Sequence, residues 1–246
     1  MSVFVWIELH KGQPIPASFE ALGLARQLGD RVTGLVFGQG VDDAVKAAFA
    51  YGADTVIKAD DASLARYRFE PYVALLAGLV KEHSPAIVLA AATTSGRELL
   101  AGAAADVGGG LLADVTELSL DGGKLKAVRP VLGGKVLSVE AVTADGPQFA
   151  TLRNRAFPQP EPDAGRTGDV ITVSPALAED AIAAKVDSVE SAAGQISLSD
   201  ANIIVAAGRG VGGPEGFAPV KALAEVLGGA VGASRAAVDA GWIPYE

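Results

Sequence analysis

Closely spaced glycines in the last fifth of the sequence give the clearest indication of chemistry. The apolar residues 203–207 lead into Gly208, Gly210 and Gly213, which fit a G-x-G-x-x-G pattern. Glycine has no Cβ atom, so backbone N–H groups in such a loop can approach a pyrophosphate, and a following helix N-terminus favours anions. The pattern indicates a nucleotide site, with a tight turn between packed elements as the alternative.

The elements around these glycines are typical of a strand, a loop, a helix and a second strand. The predicted helix carries an apolar stripe, and the second apolar run leads into Ser234 and Arg235; the stripe consists of Phe217, Val220, Leu223, Ala224 and Leu227. No Asp or Glu lies between Glu225 and Asp239. The acid that holds the ribose in NAD-binding folds is therefore missing, which weakens the interpretation as an NAD-linked enzyme.

Three segments carry a family resemblance. Gly208-Arg209-Gly210 and the string GASRAAVDAGW, residues 232–242, closely resemble the flavin-binding domain of the α-subunit of electron transfer flavoprotein. Residues 91–100, AATTSGRELL, are similar to the Ala-Thr-Thr-x-Gly segment of that family. Residues 129–134, RPVLGG, resemble its Arg-Pro-x-x-x-Gly turn, although Lys135 stands where the family commonly has Asn. The resemblance extends from the first strand to residue 246.

The resemblance implies an FAD site formed by Gly208, Arg209, Gly210, Ser234 and Arg235. Arg235 would lie against the flavin ring, where a fixed guanidinium favours the negative charge gained on reduction. Ser234 would hydrogen-bond the cofactor through its hydroxyl, Arg209 would add positive charge, and the two glycines would allow close backbone approach. No residue is expected to act as acid, base, nucleophile or metal ligand, because a flavin itself holds the electrons.

The implied function is electron carriage rather than catalysis with a substrate of its own. In the family, the α-subunit forms a heterodimer with a β-subunit. FAD then passes electrons from dehydrogenases, such as the acyl-CoA dehydrogenases of fatty acid β-oxidation, to a quinone reductase or other acceptor. The family's Gln-Thr-Gly-Lys segment and adenosine-side residues do not follow Trp242, so we expect weak FAD binding by this chain alone. The alternative is a non-redox scaffold that keeps the β-subunit interface without FAD.

Composition excludes several other classes of function. A chain of 246 residues with 50% hydrophobic residues is long enough for a proper core, and its formal charge of −9 disfavours nucleic-acid binding. The absence of cysteine excludes disulfides and thiolate metal sites. No apolar stretch reaches the roughly 18 residues that span a membrane, and no leader precedes the first strand, so we expect a cytoplasmic protein without membrane insertion.

Alternating strand and helix patterns over residues 3–107 predict βαβ crossovers and a parallel sheet covered on both faces. Shorter β-rich runs separated by glycine turns predict antiparallel strands at 115–120, 125–128, 135–142 and 149–153. Two further strands are predicted at 169–173 and 185–189.

The predicted organisation is an N-terminal α/β domain facing the β-subunit (1–193), a hinge (194–200) and a partial Rossmann-like FAD-binding domain (201–246). The hinge segment has too few apolar residues to lock two domains together. Two local contacts are also predicted. Ser95 and Glu98 fit a capping box with Ser95 as the N-cap, and Asp239 can pair with Arg235 at i, i+4.

Overall fold

The computed structural model describes residues 1–189, 198 and 201–244. The chain divides into two compact units, Met1–Val186 and Asp187–Glu246. The predicted hinge at 194–200 lies, apart from Leu198, outside the described residues.

Twelve strands and four α-helices make up the first unit, all of whose residues are described. Its helices are α1 (Pro16–Leu28), α2 (Asp42–Ala50), α3 (Phe69–His83) and α4 (Thr94–Val107). Its strands are β1 (Ser2–Trp6), β2 (Leu9–His10), β3 (Gln13–Pro14), β4 (Arg31–Gly38), β5 (Thr55–Asp60), β6 (Ile87–Ala91), β7 (Gly110–Val115), β8 (Glu117–Asp121), β9 (Lys124–Val131), β10 (Val136–Ala141), β11 (Gln148–Leu152) and β12 (Asp169–Thr172).

Seven strands form one parallel sheet in the order β12-β5-β4-β1-β6-β11-β7. Strand β1 shows why both faces are covered. Val3 and Val5 pack with α1 and α2, whereas Phe4 and Trp6 pack with α3 and α4. Burial on both faces is typical of parallel sheets. The predicted parallel α/β architecture is confirmed.

A second, antiparallel sheet has the order β10-β9-β8. Its β9–β10 turn contains three consecutive residues with positive φ, namely Leu132 at 52°, Gly133 at 67° and Gly134 at 84°. The two glycines accept this conformation without strain. The predicted strand at 115–120 covers two elements, because Val115 ends β7 and Glu117 begins β8.

The predictions for residues 149–153 and 185–189 are wrong. Strand β11 lies parallel between β6 and β7 rather than antiparallel, with Phe149 packed on one face and Leu152 on the other. Residues 185–189 form no strand. Just before them, the backbone N–H groups of Ala183 and Ala184 bond the Glu70 carboxylate. The prediction for 169–173 is confirmed by β12, which pairs with β5 at the sheet edge.

The predicted capping box is also wrong, because Thr93 rather than Ser95 is the N-cap of α4. The Thr93 hydroxyl accepts a 2.9 Å hydrogen bond from the backbone N–H of Gly96. The turn from β6 into α4 is tight, since a Cβ at Gly96 would lie 2.1 Å from the carbonyl oxygen of Ala91. The helix therefore starts before Ser95, which lies inside its first turn.

The described part of the second unit contains parallel strands β13 (Ile204–Ala207) and β14 (Ala230–Ala233), with helices α5 (Ala218–Val226) and α6 (Arg235–Asp239). The predicted apolar stripe is only partly covered within this unit. Phe217 and Ala224 are buried, whereas Leu223 and Leu227 are about half exposed.

Candidate functional site

The glycine loop follows β13 directly, as the sequence predicts, but two short turns separate it from the helix. Arg209–Val211 and Pro214–Phe217 each form a turn of 3₁₀-helix, and α5 begins only at Ala218. Gly212, between these turns, has a φ of 83°. The glycines therefore allow the backbone to turn here, in addition to any contact that they make with a ligand.

The second element of the site follows the neighbouring strand. Ala207 and Ala233 are paired at the carboxyl ends of β13 and β14, so Gly208 and Ser234 leave the sheet side by side. The backbone N–H of Ser234 donates a 2.9 Å hydrogen bond to the carbonyl oxygen of Ala207. A Cβ at Gly208 would lie 3.1 Å from the Ser234 hydroxyl oxygen. The structure thus brings these two residues into contact, although 25 residues separate them in the sequence.

Ser234 and Arg235 begin the short helix α6. Ser234 is its N-cap residue by backbone position, but its side chain makes no capping hydrogen bond. The Arg235 Nε atom lies 3.4 Å from Asp239 Oδ2, and its side chain is 91% exposed. The predicted i, i+4 pair is therefore present. An ion pair this exposed is weak, so the guanidinium can exchange Asp239 for another anion.

Arg209 and Gly210 lie in the turn that follows Gly208, and both are exposed. A Cβ at Gly210 would meet no atom within 4 Å. All five predicted site residues therefore come from the two loops at the carboxyl ends of β13 and β14. A Cβ at Gly208 would crowd the Ser234 hydroxyl, whereas Arg235 pairs with Asp239, outside this set of residues.

The two upstream motifs belong to the first unit and have clear local roles. Residues 91–100 contain the end of β6 and the start of α4, where Thr93 caps the helix. Residues 129–134 contain the end of β9 and its turn to β10. Around this turn, large apolar side chains face solvent, since Leu132, Leu137 and Val139 are 75%, 65% and 64% exposed.

A partly buried acid that the sequence reasoning missed lies at the carboxyl end of β1. Thr93 Oγ1 donates a 2.5 Å hydrogen bond to Glu8 Oε2. Burial raises the pKa of the Glu8 carboxyl, and hydrogen bonds from the Thr93 and Ser95 side chains oppose that rise in part. The position of an acid directly after a buried strand was the available signal in the sequence.

Comparison with known proteins gives matches along nearly the whole chain. The family model described as electron transfer flavoprotein domain matches residues 3–178, and the one described as electron transfer flavoprotein FAD-binding domain matches residues 197–246. The described part of the chain contains no helix both long enough and apolar enough to cross a membrane.

Individual relatives agree with these matches. The chain is 37% identical to electron transfer flavoprotein subunit alpha of Thermoanaerobacterium thermosaccharolyticum, over 99% of this chain and 76% of that protein. It is 38% identical to protein FixB of Rhizobium meliloti, over 100% of this chain and 72% of that protein. It is 35% identical to electron transfer flavoprotein subunit alpha of Bacillus subtilis, over 99% of this chain and 75% of that protein.

Proposed function

The chain belongs to the electron transfer flavoprotein α-subunit family, and from this premise we propose that it carries electrons by means of a bound FAD. The donor is a dehydrogenase, such as an acyl-CoA dehydrogenase, and the acceptor is a quinone reductase or a similar protein. The observation that carries the proposal is the contact between Gly208 and Ser234 at the carboxyl ends of two parallel strands. Ligands of open α/β sheets bind at this edge.

The residues at this edge fit an anionic, ring-containing group such as FAD. A Cβ added at Gly210 would meet nothing within 4 Å, so the backbone there is open to a ligand. The Ser234 hydroxyl has no capping bond to give up, and Arg209 and Arg235 place two exposed guanidinium groups in the same two loops. Backbone N–H groups and guanidinium groups are suited to a diphosphate. When bound, the flavin supplies the electron storage that no side chain of this protein can provide.

Arg235 is the residue proposed to set the reduction potential. A guanidinium beside the ring would stabilise the charge that the ring gains on reduction. Within the part of the chain that the structure describes, Arg235 pairs with one exposed carboxylate, that of Asp239, so turning toward a ligand costs little. Ser234, one residue earlier, would fix the ring edge through its hydroxyl.

Replacement of Arg235 tests this role. We expect Arg235→Ala to lower the flavin midpoint potential while most of the FAD stays bound, and Arg235→Lys to restore only part of it, because a compact ammonium does not stack on a ring. Potentiometric titration of the complex with its β-subunit measures the effect. Lys221→Ala removes an exposed cation from α5 of the same unit and serves as the control. Unchanged potentials in both Arg235 variants would remove this residue from the site.

The proposed partner is a β-subunit that covers the exposed apolar residues of β9 and β10. Leu137 and Val139 point to one face of β10, where they pair with Pro130 and Val128 of β9. Their exposure of 65% and 64% leaves an apolar surface on the first unit. Contiguous apolar surface of this kind marks interaction sites in soluble proteins.

A charged substitution tests the interface. We expect Leu137→Asp to weaken the 1:1 complex with the β-subunit by at least about tenfold, because a desolvated carboxylate in an interface costs more than about 1.4 kcal/mol. Val170→Asp, in the exposed edge strand β12, is the control. Sizing and affinity measurements on purified subunits give the result. Equal loss in both variants would refute this location for the partner.

A further inference from the structure

The short helix α6 carries one positive and one negative side chain at its two ends. Arg235 is its first residue and Asp239 is its last. The Arg235 Nε atom lies 3.4 Å from Asp239 Oδ2, at the i, i+4 spacing that places two side chains on one face of a helix. Asp239 is the only Asp or Glu between Glu225 and Glu246. The segment that contains Ser234 and Arg235 therefore supplies a single carboxylate to this guanidinium.

The stability of α6 does not account for this pair. A helix dipole favours acids in the first turn and bases in the last, whereas Arg235 is at the first position and Asp239 at the last. An acid four residues before a base is also the better order for an i, i+4 pair, and here the order is reversed. Both side chains are mostly in solvent, at 91% and 63% exposure. The pair is therefore poorly suited to hold the helix together and well suited to be exchanged.

We propose that Asp239 is a positioning residue that competes with the flavin for the Arg235 guanidinium. This inference rests on the proposed function, in which Arg235 stabilises the negative charge that the ring gains on reduction. The Nε–H group that faces Asp239 belongs to the guanidinium that would serve the ring. A positive charge that is already paired attracts a second anion less strongly. Asp239 therefore lowers the reduction potential below the value that Arg235 alone would give.

Removal of the charge on Asp239 tests this competition. We expect Asp239→Asn to raise the flavin midpoint potential, whereas Arg235→Ala lowers it. An exposed ion pair changes the ratio of the affinities for reduced and oxidised flavin by up to about fivefold, which is about 20 mV for a two-electron couple. Asp239→Glu keeps the charge and should stay near the wild-type potential. Potentiometric titration of the complex with its β-subunit measures these shifts.

The control is Glu225→Gln, which removes an exposed carboxylate from the last turn of α5. This end of α5 lies at the opposite edge of the sheet, since a Cβ at Gly229 would lie 2.7 Å from the carbonyl oxygen of Ile203. Equal potentials in Asp239→Asn and wild-type complexes that both hold FAD would overturn the competition. A wild-type complex without FAD would instead refute the proposed function, so the two failures are distinguishable.

The double variant shows whether Asp239 acts through Arg235. Competition for the guanidinium predicts that Asp239→Asn changes the potential little when Arg235 is already replaced by alanine. The same rise in both backgrounds would mean that the carboxylate acts on the ring directly, and it would overturn the positioning role. A purely structural role predicts a lower unfolding temperature and less bound FAD in Asp239→Asn, whereas we expect both to match the wild type.

The ion pair can also be tested in the chain without flavin. NMR relaxation of the Nε–H bond of Arg235, identified by its loss in Arg235→Lys, reports how firmly Asp239 holds the guanidinium. We expect the order parameter of this bond to fall in Asp239→Asn and to keep its wild-type value in Glu225→Gln. Equal order parameters in all three proteins would show that the carboxylate does not hold Arg235, and they would overturn the proposal whether or not the chain carries electrons.

Discussion

Substitution of alanine for Gly208 or Gly210 separates a contact within the protein from a contact with the cofactor. Gly208 has φ −128° and ψ −159°, an extended conformation that alanine adopts freely. Its new Cβ would lie 3.1 Å from the Ser234 hydroxyl oxygen and 3.6 Å from the Ser234 Cβ. At Gly210 the new Cβ would meet no protein atom within 4 Å. The first change therefore displaces Ser234, whereas the second changes only the surface offered to a ligand.

The expected magnitudes follow from these distances. Alanine reduces the conformational freedom of the unfolded chain, which stabilises a compatible site by about 0.4–1 kcal/mol. Displacing the exposed Ser234 hydroxyl by a few tenths of an ångström costs a similar amount, so the free energy of unfolding should change by less than about 1 kcal/mol. Losing the hydrogen bond from Ser234 to FAD is worth about 0.5–1.5 kcal/mol, which lowers affinity roughly two- to tenfold.

Titration of FAD into the apo complex with the β-subunit measures both effects. We expect Gly208→Ala and Ser234→Ala to weaken binding to a similar degree and the double variant to lose little more, because both remove one interaction. Gly210→Ala should weaken binding at least as much if the backbone there approaches the diphosphate. Gly78→Ala, in the middle of α3 with no atom within 4 Å of the added Cβ, is the control. Wild-type affinity in both loop variants would refute the proposed site.

Three stability predictions concern the first unit. Burial raises the pKa of Glu8 above its ordinary value of 4.5. The protonated carboxyl therefore stabilises the folded protein fully below pH 4.5, and this stabilisation is lost as pH rises through the folded-state pKa. Glu8→Gln should therefore stabilise the protein at pH 7, as measured by urea unfolding, and the gain should shrink toward pH 4; a gain that grows toward low pH would contradict the reasoning. Phe149→Ala, at a fully buried position of β11, should cost about 3–5 kcal/mol in the same assay. Leu137→Ala, at a 65% exposed position, should cost less than about 0.5 kcal/mol.

The fold of the first unit follows from the sequence where the apolar pattern alone determines the element. Helix α3 lies within the alternating pattern predicted over residues 3–107, and a left-handed Ser84 directly after His83 marks its end. Strand β11 was misassigned because Asp145-Gly146 indicates a turn but does not say which sheet the next strand joins. The polar residues Gln148 and Thr151 do not suggest a strand that is buried on both faces. Both can be buried because their side chains accept hydrogen bonds from the backbone N–H groups of Leu125 and Asp114.

The candidate site could likewise be predicted only in part from the sequence. The glycine loop and the Ser234-Arg235 pair could be found by spacing and resemblance, because each is a local string. Their contact could not, since it depends on the register between β13 and β14. The ion pair between Arg68 and Glu179 was not predictable either. Arg68 and Glu179 are 111 residues apart, and neither residue type is unusual on a surface. Only the packing of residues 179–184 against the start of α3 brings them together.

The cofactor content of the complex formed with a cognate β-subunit tests the proposed electron-carrying function most directly. The two chains should be co-expressed, purified by sizing and examined for absorbance near roughly 450 nm, followed by denaturation and identification of the released cofactor. We expect a 1:1 complex that is yellow and releases FAD, with less FAD retained by Gly208→Ala than by Gly78→Ala. A stable 1:1 complex that is colourless and takes up no added FAD would contradict this function and would favour the non-redox scaffold instead.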